Sequence, residues 1–278
     1  MTRVTALLLS VVICSPVNAQ DDQQPNSTSI IYKTVGEQSL FMDALVPPVR
    51  SPAEKRPAML FFHGGGWVGG PPKQFAKQAK YFQSRGIVCF LVQYRLLEKD
   101  DKDPPTICVE DARDAFRFVQ SHADAYSIDR DRIAGAGGSA GGHLAAACGM
   151  IDVDGKPFEA RPRALMLFNP VYDNGPGQWG AGRVGDRYPE FSPAHNISAD
   201  DPSTIVFFGT KDKLVTVETA QAFQKKMQDV GVRSDLVFYE GAGHGFFNSE
   251  KAPENYQERT LKAADDFLVS LGWLKPQE

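Results

Sequence analysis

The stretch Gly137-Gly138-Ser139-Ala140-Gly141 places a serine among closely spaced glycines, between two segments of different character. Upstream, Arg132–Ala136 is typical of a buried strand, whereas Ala140–Met150 has the small and apolar residues of a buried helix. The pattern G-x-S-x-G between a strand and a helix predicts a sharp turn that exposes the serine hydroxyl. The flanking glycines let the backbone pass through such a turn without a side-chain clash. We therefore predict that Ser139 is a nucleophile.

A second glycine-rich stretch, His63-Gly64-Gly65-Gly66-Trp67, directly follows the apolar run Ala58–Phe62. A loop of this kind presents backbone N–H groups that stabilise a developing oxyanion, by about 3 kcal/mol per donor. The candidate donors are the N–H groups of Gly65, Gly66 and Ala140. The helix that begins at Ala140 also directs its positive end toward the same charge.

Two later apolar runs end in groups that can activate a serine hydroxyl. Asp212 follows the run Thr204–Phe208, and His244 follows the run that ends at Tyr239. A serine is a poor nucleophile at its own pKa and needs a base within hydrogen-bond distance, and we predict His244 for that role. Asp212 would orient the imidazole and stabilise its protonated form.

Other residues compete for the roles of base and acid. His195 is the main alternative base, although no predicted strand end presents it. Glu240 follows a strand but precedes His244 by only four positions, and Asp201 lies before its strand, at the opposite edge. The remaining histidines are expected to have structural roles: His63 braces the glycine loop, His122 ends a helix, and His143 packs beneath the serine.

Apolar runs alternate with longer amphipathic segments, which is typical of parallel strands joined by helices. We predict an α/β fold whose sheet is mostly parallel, with helices on both faces and an antiparallel pair at one edge. The eight predicted strands are Ile30–Lys33, Leu40–Val46, Ala58–Phe62, Ile87–Gln93, Arg132–Ala136, Ala164–Asn169, Thr204–Phe208 and Asp235–Tyr239. The five predicted helices are Gln74–Ser84, Cys108–His122, Ala140–Met150, Val217–Val230 and Asn255–Leu271.

Residues 172–193 are rich in glycine and proline and follow a predicted strand. We expect this segment to be a loop above the carboxyl edge of the sheet, either contacting substrate or serving only as a connector. The candidate substrate contacts are Trp67, Trp179 and His195.

These motifs resemble those of the α/β-hydrolase superfamily, and within it the hormone-sensitive-lipase-like and carbohydrate-esterase-like enzymes. The resemblance runs from about Ile30 onward and includes the stretches 92–96 and 128–133. It implies an eight-stranded sheet, a triad of Ser139, Asp212 and His244, and similarity to secreted bacterial acetylxylan and feruloyl esterases. Many lipase-like relatives carry a helical cap, which this sequence does not show. An open site that admits bulky or polymeric substrates is therefore expected.

We predict a carboxylic-ester hydrolase that works through an acyl-enzyme, on short acyl or aromatic acyl esters of small molecules or polysaccharide, although the resemblance itself does not fix the substrate. No cofactor and no metal are expected, and the cysteines show no metal-ligand spacing. Two alternatives stay open. One is an amide or formamide hydrolase, and the other is a binding protein that keeps the fold without catalysis.

The first nineteen residues have the character of a secretory signal peptide. Arg3 is followed by a mostly apolar stretch that is too short to span a bilayer, and Val17-Asn18-Ala19 provides small residues for cleavage. We therefore predict a signal peptide over 1–19, a flexible leader over 20–29 and the α/β-hydrolase domain over 30–278. The mature protein would be secreted or periplasmic, without stable membrane association.

The charge of the chain argues against nucleic-acid binding. Its formal net charge is −4, and no basic patch stands out. Cys89 and Cys148 lie in apolar segments and are expected to be buried, and the sequence leaves open whether either pairs with Cys108.

Overall fold

One eight-stranded sheet organises the chain in the computed structural model, which describes residues 27–48, 55–100, 102–250 and 255–277. The strand order is β1-β2-β4-β3-β5-β6-β7-β8. The strands are β1 (Ser27–Val35), β2 (Gln38–Leu45), β3 (Arg56–Phe62), β4 (Val88–Val92), β5 (Ile128–Gly138), β6 (Ala164–Phe168), β7 (Ser203–Gly209) and β8 (Ser234–Tyr239).

Strand direction changes only near one edge of the sheet. β1 pairs antiparallel with β2 and β2 antiparallel with β4, whereas all pairs from β4 to β8 are parallel. In the centre, Phe62 at the end of β3 lies opposite Gly137 near the end of β5. This register places the loop after β3 beside the turn after β5.

Helices cover both faces of the sheet. The helices are α1 (Ala76–Ser84), α2 (Thr106–Ser121), α3 (Ala140–Met150), α4 (Ala181–Val184), α5 (Tyr188–Phe191), α6 (Val217–Asp229) and α7 (Tyr256–Ser270). One core cluster joins the sheet to α2, α3 and α6, and the other joins it to α1 and α7. Every residue of β3, β4 and β6 is buried, as expected for strands covered on both faces.

The predicted leader is wrong at its carboxyl end. β1 begins at Ser27, so residues 27–29 belong to the sheet rather than to a flexible segment. Ser27 pairs with Leu45 and Ser29 with Asp43, through an edge ladder made by backbone groups that needs no apolar side chain. The predicted signal peptide and the rest of the leader lie outside the described residues.

Cys89, Cys108 and Cys148 are free and buried, so they form no disulfide with one another. Across the described ranges, no helix has both the length and the apolar character needed to span a bilayer.

Candidate active site

Ser139 lies at the turn between β5 and α3 in a backbone conformation that residues other than glycine rarely adopt, with φ 54° and ψ −120°. The turn is held by a hydrogen bond from the Ser139 N–H to the carbonyl oxygen of Phe168, at 2.9 Å. Gly141 permits it, because a methyl group at that position would lie 2.0 Å from the Phe62 carbonyl oxygen. The serine hydroxyl is therefore presented at the carboxyl edge of the sheet.

His244 and Asp212 extend a chain of hydrogen bonds from this serine. The Nε2 atom of His244 lies 2.9 Å from Ser139 Oγ, and its Nδ1 atom lies 2.7 Å from Asp212 Oδ2. The other carboxylate oxygen of Asp212 accepts hydrogen bonds from the N–H groups of Leu214 and Val215, at 2.8 and 3.2 Å. The carboxylate is thus fixed on one side by backbone and on the other by the imidazole.

The carboxylate side chain is fully buried, whereas the imidazole is 22% exposed. The His244 Nδ1–H can therefore donate to a desolvated acceptor while Nε2 accepts the proton of the serine hydroxyl. This arrangement has the geometry required for general-base activation of a nucleophile.

The glycine loop between β3 and α1 passes through a run of left-handed backbone conformations. Gly65, Gly66 and Trp67 all have positive φ angles, of 124°, 65° and 65°. Within the described residues, the N–H groups of Gly65 and Gly66 donate to no backbone carbonyl, and that of Ala140 begins α3.

Two side chains brace this loop from behind. Tyr94 donates a hydrogen bond from its hydroxyl to the carbonyl of His63 at 2.8 Å, and its ring stacks on the His63 imidazole. Gln74 Oε1 accepts from the Gly64 N–H at 2.7 Å. Burial lowers the pKa of His63, which favours the neutral ring in this bracing position.

Trp179 packs against the glycine loop and against Trp67, the last residue of that loop. The Trp179 ring lies over Gly66, where a methyl group would meet its Cζ2 atom at 3.7 Å. The Trp67 ring packs behind it, with ring centroids 4.9 Å apart. Trp67 is fully buried, so the predicted contact between Trp67 and substrate is wrong in this structure. The left-handed turn of the loop directs this indole into the core, where it supports the half-buried Trp179.

Two family profiles match the chain in succession. Residues 42–166 match BD-FAE, and residues 184–276 match the dienelactone hydrolase family. The first match contains the glycine loop and Ser139, and the second contains Asp212 and His244.

Curated relatives include longer esterases. Esterase LipC of Mycobacterium tuberculosis is 28% identical over 70% of this chain and 54% of its own length. An acetylxylan esterase of Xylanibacter ruminicola is 28% identical over 70% of this chain and 40% of its own length. The chain therefore spans about half or less of the length of these relatives.

Among solved structures, the apo form of Thermogutta terrifontis esterase 2 is 36% identical with a TM-score of 0.83, over 92% of this chain and 98% of that chain. The chain belongs to the α/β-hydrolase serine esterases. This membership confirms the predicted fold class and the predicted enzyme class, a carboxylic-ester hydrolase. The Thermogutta esterase has also been solved with butyrate bound and phosphorylated by paraoxon.

The residues considered as the alternative base and acids of this serine esterase form hydrogen bonds with groups other than Ser139 and His244. His195 bonds within its own loop, with Nδ1 2.8 Å from Ser192 Oγ and its ring against Tyr188. Glu240 is exposed, and its backbone carbonyl accepts from the Tyr256 hydroxyl. Asp201 is buried before β7, where its carboxylate accepts from the N–H and hydroxyl of Ser198.

Asn169 is a residue of the esterase site that the sequence motifs do not identify. It directly follows β6, is fully buried, and has its side-chain amide nitrogen 3.3 and 3.4 Å from the two ring nitrogens of His244. Its side-chain oxygen accepts from the Gly245 N–H at 3.3 Å. One sequence signal could have identified Asn169. It is a polar residue at the carboxyl end of the buried strand β6, and β6 pairs with β7, the strand that leads to Asp212.

His143 lies in α3, one turn after Ser139, and its Nε2–H donates to the Phe191 carbonyl at 2.6 Å. Burial lowers the pKa of His143 to about 4 from an ordinary value of 6.5. As pH falls through this range, the unfolded chain binds a proton that the folded esterase does not bind, so stability decreases. Burial raises the pKa of Asp201 to about 6, which acts in the opposite sense, because acidification relieves the cost of burying its charge.

We expect a His143→Gln variant, which retains a side-chain N–H donor, to lose the histidine part of this pH dependence. The free energy of unfolding of the wild type should fall relative to the variant by up to about 3 kcal/mol between pH 7 and 4. Urea unfolding of both proteins across this range measures the difference, and the contribution of Asp201 cancels. Parallel curves would show that His143 is protonated as readily in the folded as in the unfolded chain.

Proposed function

We propose that this esterase hydrolyses short-chain carboxylic esters through an acyl-enzyme on Ser139, with His244 as general base and Asp212 as the acid that orients it. The hydrogen-bonded series Ser139–His244–Asp212, at 2.9 and 2.7 Å, is the observation that carries the proposal. The N–H groups of Gly65, Gly66 and Ala140 are the proposed oxyanion donors. Ala140 directly follows Ser139, and a methyl group on Gly64, the neighbour of Gly65, would lie 3.3 Å from the Ser139 side chain.

The reaction proceeds in two halves. His244 Nε2 accepts the Ser139 proton as Oγ attacks the ester carbonyl, and the imidazolium then protonates the departing alcohol. In the second half the same imidazole accepts a proton from the water that attacks the acyl-enzyme, the bond between the acyl carbon and Ser139 Oγ breaks, the imidazolium returns the proton to Oγ, and the carboxylic acid leaves. The proposed oxyanion donors stabilise the negatively charged carbonyl oxygen in both halves.

Short acyl groups and an esterified carbohydrate are the proposed substrate features. The Thermogutta esterase binds butyrate, and a curated relative is an acetylxylan esterase. Trp179 supports a role for a sugar or an aromatic acyl group, because its half-buried ring lies over Gly66 of the glycine loop. We also propose that residues 1–19 direct export, which N-terminal sequencing of mature protein from culture medium would test.

A substrate panel on purified protein tests the proposal. p-Nitrophenyl esters of increasing chain length should give the highest kcat/KM at acetate to butyrate, and acetylated xylan should release acetate. Matched anilides should be cleaved far more slowly. Preferential cleavage of anilides would replace the ester hydrolase with an amide hydrolase, and turnover of neither class would favour a binding protein.

Trp179→Ala tests the proposed sugar or aryl contact. We expect kcat/KM for a feruloyl or polysaccharide ester to fall by about 1–2 kcal/mol, because the stacking surface is lost. p-Nitrophenyl acetate should lose much less activity, since its acetyl group offers no sugar or aryl ring to stack on Trp179. Steady-state kinetics on both substrates give the comparison.

Trp273→Ala is the matched control, because this tryptophan follows α7 and packs on the other face of the sheet. It should leave the ratio of kcat/KM for the two substrates unchanged even if it lowers the melting temperature. Equal losses on both substrates in Trp179→Ala, together with a lower melting temperature, would assign Trp179 to structure alone.

A further inference from the structure

We propose that Asn169 is a positioning residue that holds the His244 imidazole by its ring face, in the orientation that proton transfer from Ser139 requires. The proposal rests on the proposed function, since it assigns Asn169 a role through the base of that reaction. Its basis is the contact between the side-chain amide of Asn169 and both nitrogens of the ring.

The orientation of the Asn169 amide follows from its second partner. The Gly245 N–H lies 3.3 Å from the side-chain oxygen, and an N–H can pair only with an acceptor. The side-chain oxygen therefore faces Gly245, and the NH₂ group faces His244. Asn169 is fully buried, so its amide is shielded from bulk solvent.

The amide nitrogen lies over the face of the imidazole rather than at its edge. Both ring nitrogens already have partners, Ser139 Oγ at 2.9 Å and Asp212 Oδ2 at 2.7 Å. An atom in the ring plane that was 3.3 and 3.4 Å from the two nitrogens would overlap the carbon between them. An N–H directed at the ring face is the remaining arrangement, a weak but recurrent contact.

This contact restricts a motion that the other two bonds leave free. The bonds to Ser139 and Asp212 lie near one line through the ring, so the ring can rock about that line without breaking either. A buried amide against one face blocks the rocking, while the bond to Gly245 fixes the backbone next to the histidine. The base is thereby held in the orientation needed for proton transfer.

A charge placed over the ring face would act on the imidazolium together with the charged groups already near it. Asp212 is the carboxylate that contacts the ring, and the exposed Lys211 and Lys213 flank it in sequence. These three groups are unchanged in the variants below, so a change in pH dependence reports on position 169.

The test uses two variants that keep the backbone conformation. Asn169 has a φ of 36°, which glycine and aspartate tolerate better than alanine. Asn169→Gly removes the side chain. Asn169→Asp retains an acceptor for the Gly245 N–H but replaces the amide over the ring with a carboxylate oxygen.

We expect Asn169→Gly to lower kcat for p-nitrophenyl acetate about tenfold or more, with KM within about threefold of wild type. In Asn169→Asp the acidic limb of the pH profile should move to higher pH by about one unit or more, because the new carboxylate stabilises the imidazolium. That shift requires the side chain at position 169 to lie over the ring. A residue that only stabilised the fold would leave the limb unmoved and would leave kcat per folded molecule of the glycine variant unchanged.

Asn255 provides matched controls, since it is also a left-handed asparagine, with φ 34°, and caps α7 away from the imidazole. Asn255→Gly and Asn255→Asp should leave kcat and the pH profile unchanged. An unmoved acidic limb in Asn169→Asp, or a kcat of Asn169→Gly within about twofold of wild type, would overturn the proposal. Ser139→Ala, assayed in parallel, tests the proposed function separately, because retained activity there refutes the triad whatever the Asn169 variants do.

Discussion

Replacing Ser139 with alanine is expected to lower kcat for ester hydrolysis by about 10⁵-fold or more. The nucleophile and its base act as a unit, so removal of either abolishes the acyl-enzyme route and leaves only the contribution of the oxyanion donors. The side chain lost is one hydroxyl, and the turn is held by the backbone bond to Phe168, so the variant should fold.

Steady-state kinetics on p-nitrophenyl acetate, with circular dichroism to check the fold, measure this effect. Ser192→Ala is a suitable control, because Ser192 is a buried serine that also bonds to a histidine, His195. The control should keep most of its kcat per folded molecule. If Ser139→Ala retained a tenth of the wild-type kcat, the nucleophile would lie elsewhere.

Asp212→Asn should lower kcat by about 10⁴-fold while leaving substrate binding nearly unchanged. The asparagine oxygen would keep the N–H groups of Leu214 and Val215 as partners, which turns its NH₂ group toward His244. Nδ1 would then have to accept, and the ring proton would move to Nε2. A ring protonated at Nε2 cannot take the proton of Ser139.

Glu240→Gln is the control for this substitution. Glu240 is exposed and bonds through its backbone, so kcat should stay within about twofold of wild type. Kinetics of the two variants under identical conditions give their ranking. If Glu240→Gln lost more activity than Asp212→Asn, the acid of the triad would have to be reassigned to Glu240.

The residues brought together at the site could be predicted because each lies directly after a recognisable strand. Parallel strands present their carboxyl ends at one edge of the sheet, so motifs after β3, β5, β7 and β8 must meet there. Chain order then distinguished Asp212 and His244 from the competing acids and histidines.

Other features depend on tertiary contacts that no local pattern encodes. The helices α4 and α5 are four residues each, too short for a helical repeat to show in a segment rich in glycine and proline. The burial of Trp67 depends on the left-handed turn of its loop. The contact between Asn169 and His244 joins residues 75 positions apart, and only the folded structure shows it.

Reaction with paraoxon is the most direct test of the central claim that Ser139 is the activated nucleophile of an esterase. The related Thermogutta esterase is phosphorylated by this reagent. We predict that inactivation of the wild type proceeds in proportion to the incorporation of one diethylphosphoryl group, which peptide mass spectrometry locates on Ser139. Ser139→Ala should incorporate none. Labelling of a different residue in step with the loss of activity, or full activity after Ser139 is labelled, would contradict the account.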